Sequence, residues 1–444
     1  MELSLFSFVK KTKTTEAADM KNRIIPLSLA AVLCMTSLMG CSYGRYCSSE
    51  TTPAKSSGKT GFTSLTAGIE KSTAEKPEYA TDSDLINDFS LRLFENVYKS
   101  GQNVMISPLS ILYSLGTVSL GARENSLKEI EDAVGCDRDS LTSALGGISE
   151  NLQNQSEAVL VNSVWFDNSP SLHVKEDFLK SCCESYDAEV FEAEINKETV
   201  DEINAYISEK TLGMVNNVLD ELSESAVMFI INTLAFDCEW MENYTEDRVS
   251  TEKFTNYDGS VTECEMMYSG EYAYIDGDGY TGFTKYYKNN NFAFAAFLPG
   301  EGKDIADVLS SLSGNELTKT LARPDFNSKV DTKMPKFSFD YRDVMNSSLL
   351  NMGISDVFSA KDADLCDMAV SDDGSVFIKR YIHQTHIEVA EQGTKAGAAT
   401  DVEFATVAIP GEPVEVTLDR PFLFMIYSCN DNIPLFIGAY EKAE

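Results

Sequence analysis

Histidine is scarce in this 444-residue chain: there are three, His173, His383 and His386, and no two stand four apart in an H-x-x-x-H pair. With no G-x-S-x-G elbow either, no nucleophile and base pair for a hydrolase emerges. The two glycines flanking Asp278 do not complete a calcium loop. The reading is therefore of a protein that is not an enzyme, with no catalytic residue, no metal and no cofactor. C-x-x-C is missing among the 10 cysteines, so their scatter argues against a metal site, and in a chain this large it fits buried thiols better than a disulfide framework. Basic residues are few, 36 Lys and Arg against 70 Asp and Glu. That imbalance excludes nucleic-acid binding and would steer basic proteins toward the chain. The apolar run from Ile24 to Leu38 is too short to cross a bilayer comfortably. Nor is there an internal repeat.

Hydrophobic residues make up 43% of the chain and aromatic residues 10%, enough for a large core. Lys21 and Arg23 precede the short apolar run, the layout of a removed signal peptide, and Met20 is a credible alternative start. The run ends in Leu38-Met39-Gly40-Cys41, which resembles a bacterial lipobox. The resemblance implies cleavage after residue 40 and a lipid on Cys41, holding the protein outside the cell membrane; the unusual Met39 leaves an ordinary secretory signal as the alternative. A chain beginning at Cys41 keeps 31 basic and 67 acidic residues, about −36 in charge. Residues 41–81, rich in Ser, Thr, Gly, Lys and Glu, read as a disordered tether spanning roughly 35 Å. Within it Ser57-Gly58-Lys59-Thr60 imitates a phosphate loop, but Pro53 stands where the first glycine should be.

From residue 82 onward the periodicity predicts helices over 84–97, 109–120, 124–134, 175–186 and 198–211. It places β-rich runs at 158–166, 226–236, 253–298 and 376–390. Helices gather early and strands late, an α+β pattern. Near the end stands Glu391-Gln392-Gly393-Thr394-Lys395-Ala396-Gly397-Ala398-Ala399-Thr400. Thr394, Ala396, Ala398 and Thr400 alternate, so as a strand they would share one face, and all are small enough to slide between two strands already present. Taken alone, the segment is equally well a flexible Ala/Gly linker.

Several motifs together resolve that choice. Asn103-Val104-Met105-Ile106-Ser107-Pro108-Leu109-Ser110-Ile111, Val161-Asn162-Ser163-Val164-Trp165, Asn232 with Trp240 eight residues on, Met334-Pro335-Lys336-Phe337, Arg420-Pro421-Phe422-Leu423-Phe424 and Pro434-Leu435-Phe436-Ile437-Gly438 occur in this order. In these the chain resembles the serpins, serine protease inhibitors, throughout residues 82–444. The resemblance implies three β-sheets, eight or nine helices and an exposed reactive-centre loop. It implies a monomer whose partner is a serine protease, trapped as a covalent acyl complex when the cleaved loop inserts into the main sheet. It assigns Glu391, Gly393, Thr394, Ala396, Ala398 and Thr400 to the loop's hinge. Ser107, Ser110, Asn232 and His383 fall to the shutter that must part, and Trp240 to the breach where the loop enters. Counting forward from Gly393 places the reactive bond at Val407-Ala408, whereas counting back from Pro421 places it near Pro410. Departures from the family pattern are Lys395, Cys238 and His386.

No Arg or Lys occurs from 396 to 419, which disfavours trypsin-like targets. Phe404-Ala405-Thr406-Val407-Ala408-Ile409-Pro410 suits an elastase-like or subtilisin-like enzyme, with a chymotrypsin-like enzyme cutting after Phe404 as runner-up. The competing reading is a non-inhibitory serpin-fold surface protein or adhesin.

Overall fold

A computed structural model describes residues 61–69, 82–153, 157–220, 227–288, 290–394 and 412–443, all within the unit Cys47–Glu444. In chain order these form β1 (Phe62–Ser64), α1 (Ser83–Val97), β2 (Val104–Ile106), α2 (Pro108–Gly121), α3 (Glu124–Val134), α4 (Arg138–Gln153), β3 (Ala158–Asp167), β4 (Leu172–Val174), α5 (Glu176–Tyr186), β5 (Glu189–Ala193), α6 (Lys197–Lys210), β6 (Met228–Phe236) and β7 (Cys238–Glu239). There follow β8 (Val249–Thr255), β9 (Val261–Glu271), β10 (Tyr274–Gly277), β11 (Tyr280–Tyr286), β12 (Phe292–Pro299), α7 (Ile305–Ser311), α8 (Gly314–Ala322), β13 (Val330–Pro335), β14 (Phe337–Val344), α9 (Asn346–Asn351), β15 (Ala369–Ser371), β16 (Arg380–Ala390), β17 (Gly393–Thr394), β18 (Val414–Thr417), β19 (Phe422–Ser428) and β20 (Ile433–Tyr440).

Local chemistry sets the helix ends that matter most. Asp82 caps α1 by accepting the Leu85 N–H at 3.1 Å. Ser107 caps α2 and Pro108 occupies its first turn, where a missing N–H costs nothing. Because α2 is apolar on nearly every side, it is buried almost entirely and lies inside the fold. Gly135, at φ 95°, ends α3 in the left-handed conformation that glycine adopts without strain.

The main sheet runs β1-β5-β3-β6-β16-β17-β7, with β14 also paired to β16. A six-stranded sheet runs β10-β11-β12-β19-β20-β2, and a four-stranded sheet β18-β13-β9-β8. Alternation along β6 shows how the main sheet is clothed on both faces. Met228, Ile230, Leu234 and Phe236 enter the large core shared with α1, α2 and the six-stranded sheet. Phe229, Ile231 and Ala235 point the other way and, with Val161, Trp165 and Ile382, pack beneath Val200, Ile203 and Ile207 of α6.

The expected α+β architecture is present, with nine α-helices among the described residues. Two corrections are needed. A fourth, two-stranded ribbon joins β15 to β4 beside the three expected sheets. The tether expected over residues 41–81 is not structureless throughout, because Phe62–Ser64 pairs antiparallel with β5 at the edge of the main sheet. Backbone pairing and one aromatic side chain outweigh a locally polar composition there.

Candidate functional site

The site is a slot in the main sheet. Strands β6 and β16 run parallel, with Arg380 to His383 opposite Phe229 to Asn232, and there their ladder stops. One residue further on, the Thr233 hydroxyl bridges them, donating to the Gln384 carbonyl at 2.8 Å. At the far end of the gap β17 lies between β16 and β7: Thr394 is opposite Val389 and Cys238, and Gly393 is opposite Ala390 and Glu239. Between these two points the main sheet is parted.

The residues that the resemblance assigned to the shutter gather at the closed end. The Ser107 N–H donates to Nε2 of His383 at 3.0 Å, so that nitrogen is an unprotonated acceptor. The Ser107 hydroxyl accepts the Ser110 N–H, and the Ser110 hydroxyl returns to the Ser107 carbonyl at 3.1 Å. Asn232 stands beside His383 in the ladder, and among the described residues both its side-chain amide atoms are buried without a hydrogen-bond partner, as is the Gln384 side-chain oxygen. Such groups cost roughly 1–3 kcal/mol each, so the parted sheet holds polar atoms that another strand's backbone could satisfy. Burial holds His383 down to about 4, against the opposing pull of the Asn232 backbone.

The other end of the gap is built around Trp240. Its ring stacks on Tyr287 with centroids 4.4 Å apart, its indole N–H donates to the Ala390 carbonyl at 2.9 Å, and its backbone N–H donates to the Gln392 carbonyl. Tyr287 and Thr394 share a hydroxyl hydrogen bond of 2.6 Å, and Thr394 is 2% exposed. Glu391 is held by Lys336 at 2.8 Å; burial disfavours its charge, but the lysine outweighs this and keeps the carboxyl below its usual range. Beneath Trp240, Lys285 is buried and paired with Glu271 at 2.7 Å, its ammonium 4.5 Å from the Tyr244 ring centroid. Burial works against the Lys285 charge as well, and the Glu271 carboxylate reverses it.

The structure thus brings Ser107, Ser110, Asn232 and His383 together at one end of the slot, and Trp240, Glu391, Gly393 and Thr394 at the other. Ala396, Ala398, Thr400, Val407 and Ala408 lie outside the described residues, as does Cys41. Sequence reasoning missed Tyr287, Lys285, Glu271 and Lys336, of which Lys336 alone stood inside a motif already singled out. It also missed Asn162, whose amide ties β3 to the Thr117 hydroxyl of α2 at 2.8 Å, and Thr385, which bonds the Met105 carbonyl at 2.7 Å. Among the departures, Cys238 is buried opposite Thr394, and His386 contacts Asp340 on β14 at 2.8 Å.

The arrangement is thus a main sheet whose β6 and β16 part beyond His383, with Gly393 and Thr394 seated at the far end of the gap. A family model described as Serpin (serine protease inhibitor) matches residues 84–443. A serine protease inhibitor of Cyanea capillata is 30% identical over 81% of this chain and 98% of its own length. The chain belongs to the serpin family. Among solved structures, the thermophilic serpin tengpin in its native state is similar with a TM-score of 0.81 and 32% identity, covering 86% of this chain and all of that one. Tengpin in its latent state is similar with a TM-score of 0.73 and 30% identity, covering 84% and 100%. Members of the family are, in general, protease inhibitors rather than catalysts.

Proposed function

We propose that the protein is an extracellular suicide-substrate inhibitor of serine proteases, held on the outer face of the cell membrane by a lipid on Cys41. The observation that carries this reading is the parted slot with Gly393 and Thr394 already seated at its mouth. Insertion has a defined start, and the residues that alternate with Thr394 as far as Thr400 are small. A target enzyme's serine attacks the bait carbonyl, the peptide bond breaks, and the new amine leaves with the proton delivered by the enzyme's own histidine. The upstream half of the loop, now ester-linked to the enzyme, zips into the slot before water can hydrolyse the ester. Strand pairing on both sides drives the movement.

Val407-Ala408 is the proposed reactive bond and an elastase-like or subtilisin-like enzyme the proposed target. Washed cells carrying the full chain should form an SDS-resistant complex when such a protease is added outside. Cys41→Ser cells should form it in the medium instead, and mass spectrometry should locate the cut within residues 404–411. Rapid cutting with no resistant complex contradicts inhibition, and complex that stays with Cys41→Ser cells contradicts the anchor.

His383 makes the shutter sensitive to acid. Its value in the folded protein, about 4, lies below its ordinary 6.5, so the folded state binds fewer protons than the unfolded chain between these limits. The stabilisation is complete above pH 6.5 and is lost as pH falls through this window, by about 2 kcal/mol at pH 5. Wild-type protein should therefore lose more stability between pH 7 and pH 5 than His383→Gln does. Equal losses in urea titrations at the two pH values would rule out this role.

A further inference from the structure

The two walls of the slot keep one register from end to end. At the closed end Arg380 stands opposite Phe229 and His383 opposite Asn232, and at the open end Val389 and Cys238, which flank Thr394, are set at the same offset along the chain. A strand continuing antiparallel from Thr394 therefore meets both walls in step, moving back one residue on each for every residue it advances. Lys395, one of the departures from the family pattern, falls between Glu388 and Asp237. Glu403 falls between Arg380 and Phe229 at the far end.

Alternation decides which face these charges occupy. Thr394 shares the core side with Val389 and Cys238, so the odd-numbered residues that follow it turn to the other side, where Ile231 and Ile382 pack with Ile203 and Ile207 of α6. The mouth on that side is acidic. Glu388 is exposed and Asp237 half-buried, and the Asp237 N–H donates to the carbonyl of a third acid, Glu157, at 2.9 Å. Burial first, and then the negative field of Glu157, Asp237 and Glu239, push the neighbouring Cys238 thiol up to about 12, against a hydrogen bond from the Lys288 backbone. The far end offers the opposite sign through Arg380. A slip of one residue would turn Lys395 and Glu403 into the core, and a slip of two deeper would set Lys395 between His386 and Ala235, away from both carboxylates. Asp401 meets no opposite charge, falling between Ile231 and Ile382.

We propose that the slot selects its occupant by charge order: Lys395 enters between Glu388 and Asp237 and Glu403 comes to rest beside Arg380, which fixes the register in which residues 395–403 of this chain fill the gap. The inference rests on the insertion reading above, and its test needs no protease. A synthetic peptide of residues 394–407 is offered to the full chain, beside a second peptide in which Lys395→Glu and Glu403→Lys exchange the two charges. Both peptides keep Asp401 and the same net charge, so the overall negative field of the protein treats them alike. Followed by native gel and thermal melting at low salt, the natural peptide should be taken up about tenfold faster, the size expected when cross-strand pairs of opposite charge become pairs of like charge. The preference should shrink in about 1 M salt, where the screening length falls to about 3 Å. Glu388→Lys, a change at an exposed position, should narrow it as well. Equal uptake of the two peptides at low salt would overturn the charge register and leave insertion standing, and a preference unchanged in Glu388→Lys would overturn the pairing at the mouth. Uptake of neither peptide, with no SDS-resistant protease complex, would overturn the insertion reading and the charge register with it.

Discussion

Thr394→Arg is expected to convert the protein from inhibitor to substrate: the protease cuts the loop at an undiminished rate, but the SDS-resistant complex falls below detection. Thr394 is already inside the sheet, with its hydroxyl on Tyr287 and its neighbours Val389 and Cys238 buried. An arginine there places a cation in a buried position, and Lys285, buried beneath Trp240, has the same sign and is committed to Glu271. An uncompensated buried charge costs at least several kcal/mol, so the hinge stays out. Delay at the first inserted residue is decisive because every later residue must follow it, while deacylation of the trapped enzyme continues at its own rate. Expulsion should be visible before any protease is added. The protein has two tryptophans, Trp165 and Trp240, and the latter stacks on the tyrosine that Thr394 contacts. A changed Trp240 emission in Thr394→Arg, with Thr394→Ser unchanged in both emission and complex formation, is the expected pattern. Wild-type levels of complex in Thr394→Arg would refute insertion through this entrance.

Much of this site was legible in the sequence because insertion demands a pattern. Thr394, Ala396, Ala398 and Thr400 alternate as small residues, and few other functions require that of a terminal segment. Ser107-Pro108 likewise announced the start of α2, and residues 124–134 coincide with α3. The seating of Gly393 and Thr394 was not legible. It depends on Tyr287 and Trp240 arriving from just past the ends of β11 and β7, and no local period reports a hydroxyl pair separated by 107 positions. The Lys285–Glu271 pair was hidden for a similar reason, since it joins two strands of different sheets. β1 is too short for periodicity to register, and its surroundings in sequence are polar. Its one informative residue, Phe62, acquires meaning only when Trp165, Phe191 and Tyr206 converge on it. Helix α4 escaped notice because Gly146-Gly147 interrupts it, yet Leu141, Leu145 and Ile148 still bury one face in the main core.

Cleaving the loop should make the protein more stable, the reverse of what a nick does to an ordinary globular domain. Before cleavage, β16 beyond His383 pairs with β14 on one side and, among the described residues, has no strand opposite it on the other until β17. The Asn232 amide and the Gln384 oxygen lie buried without partners beside that gap. An inserted segment supplies backbone donors and acceptors to both walls at once, and its alternate side chains from Thr394 to Thr400 are small enough to enter without forcing the core apart. The intact loop is held at both ends, by β17 in the main sheet and by β18 paired with β13 in another sheet, so it cannot enter far. Cutting it releases that restraint and lets the chain reach the fuller sheet. The melting temperature should rise by on the order of 20 °C, which for a domain of this size corresponds to roughly 15 kcal/mol. Differential scanning calorimetry before and after limited cleavage at residues 404–411 provides the measurement. Thr394→Arg cleaved in the same way should show little of the increase, because its strand stops at the entrance. An unchanged or lower melting temperature in cleaved wild type would favour a serpin-fold binding protein over an inhibitor. An equal rise in both proteins would move the start of insertion away from Thr394.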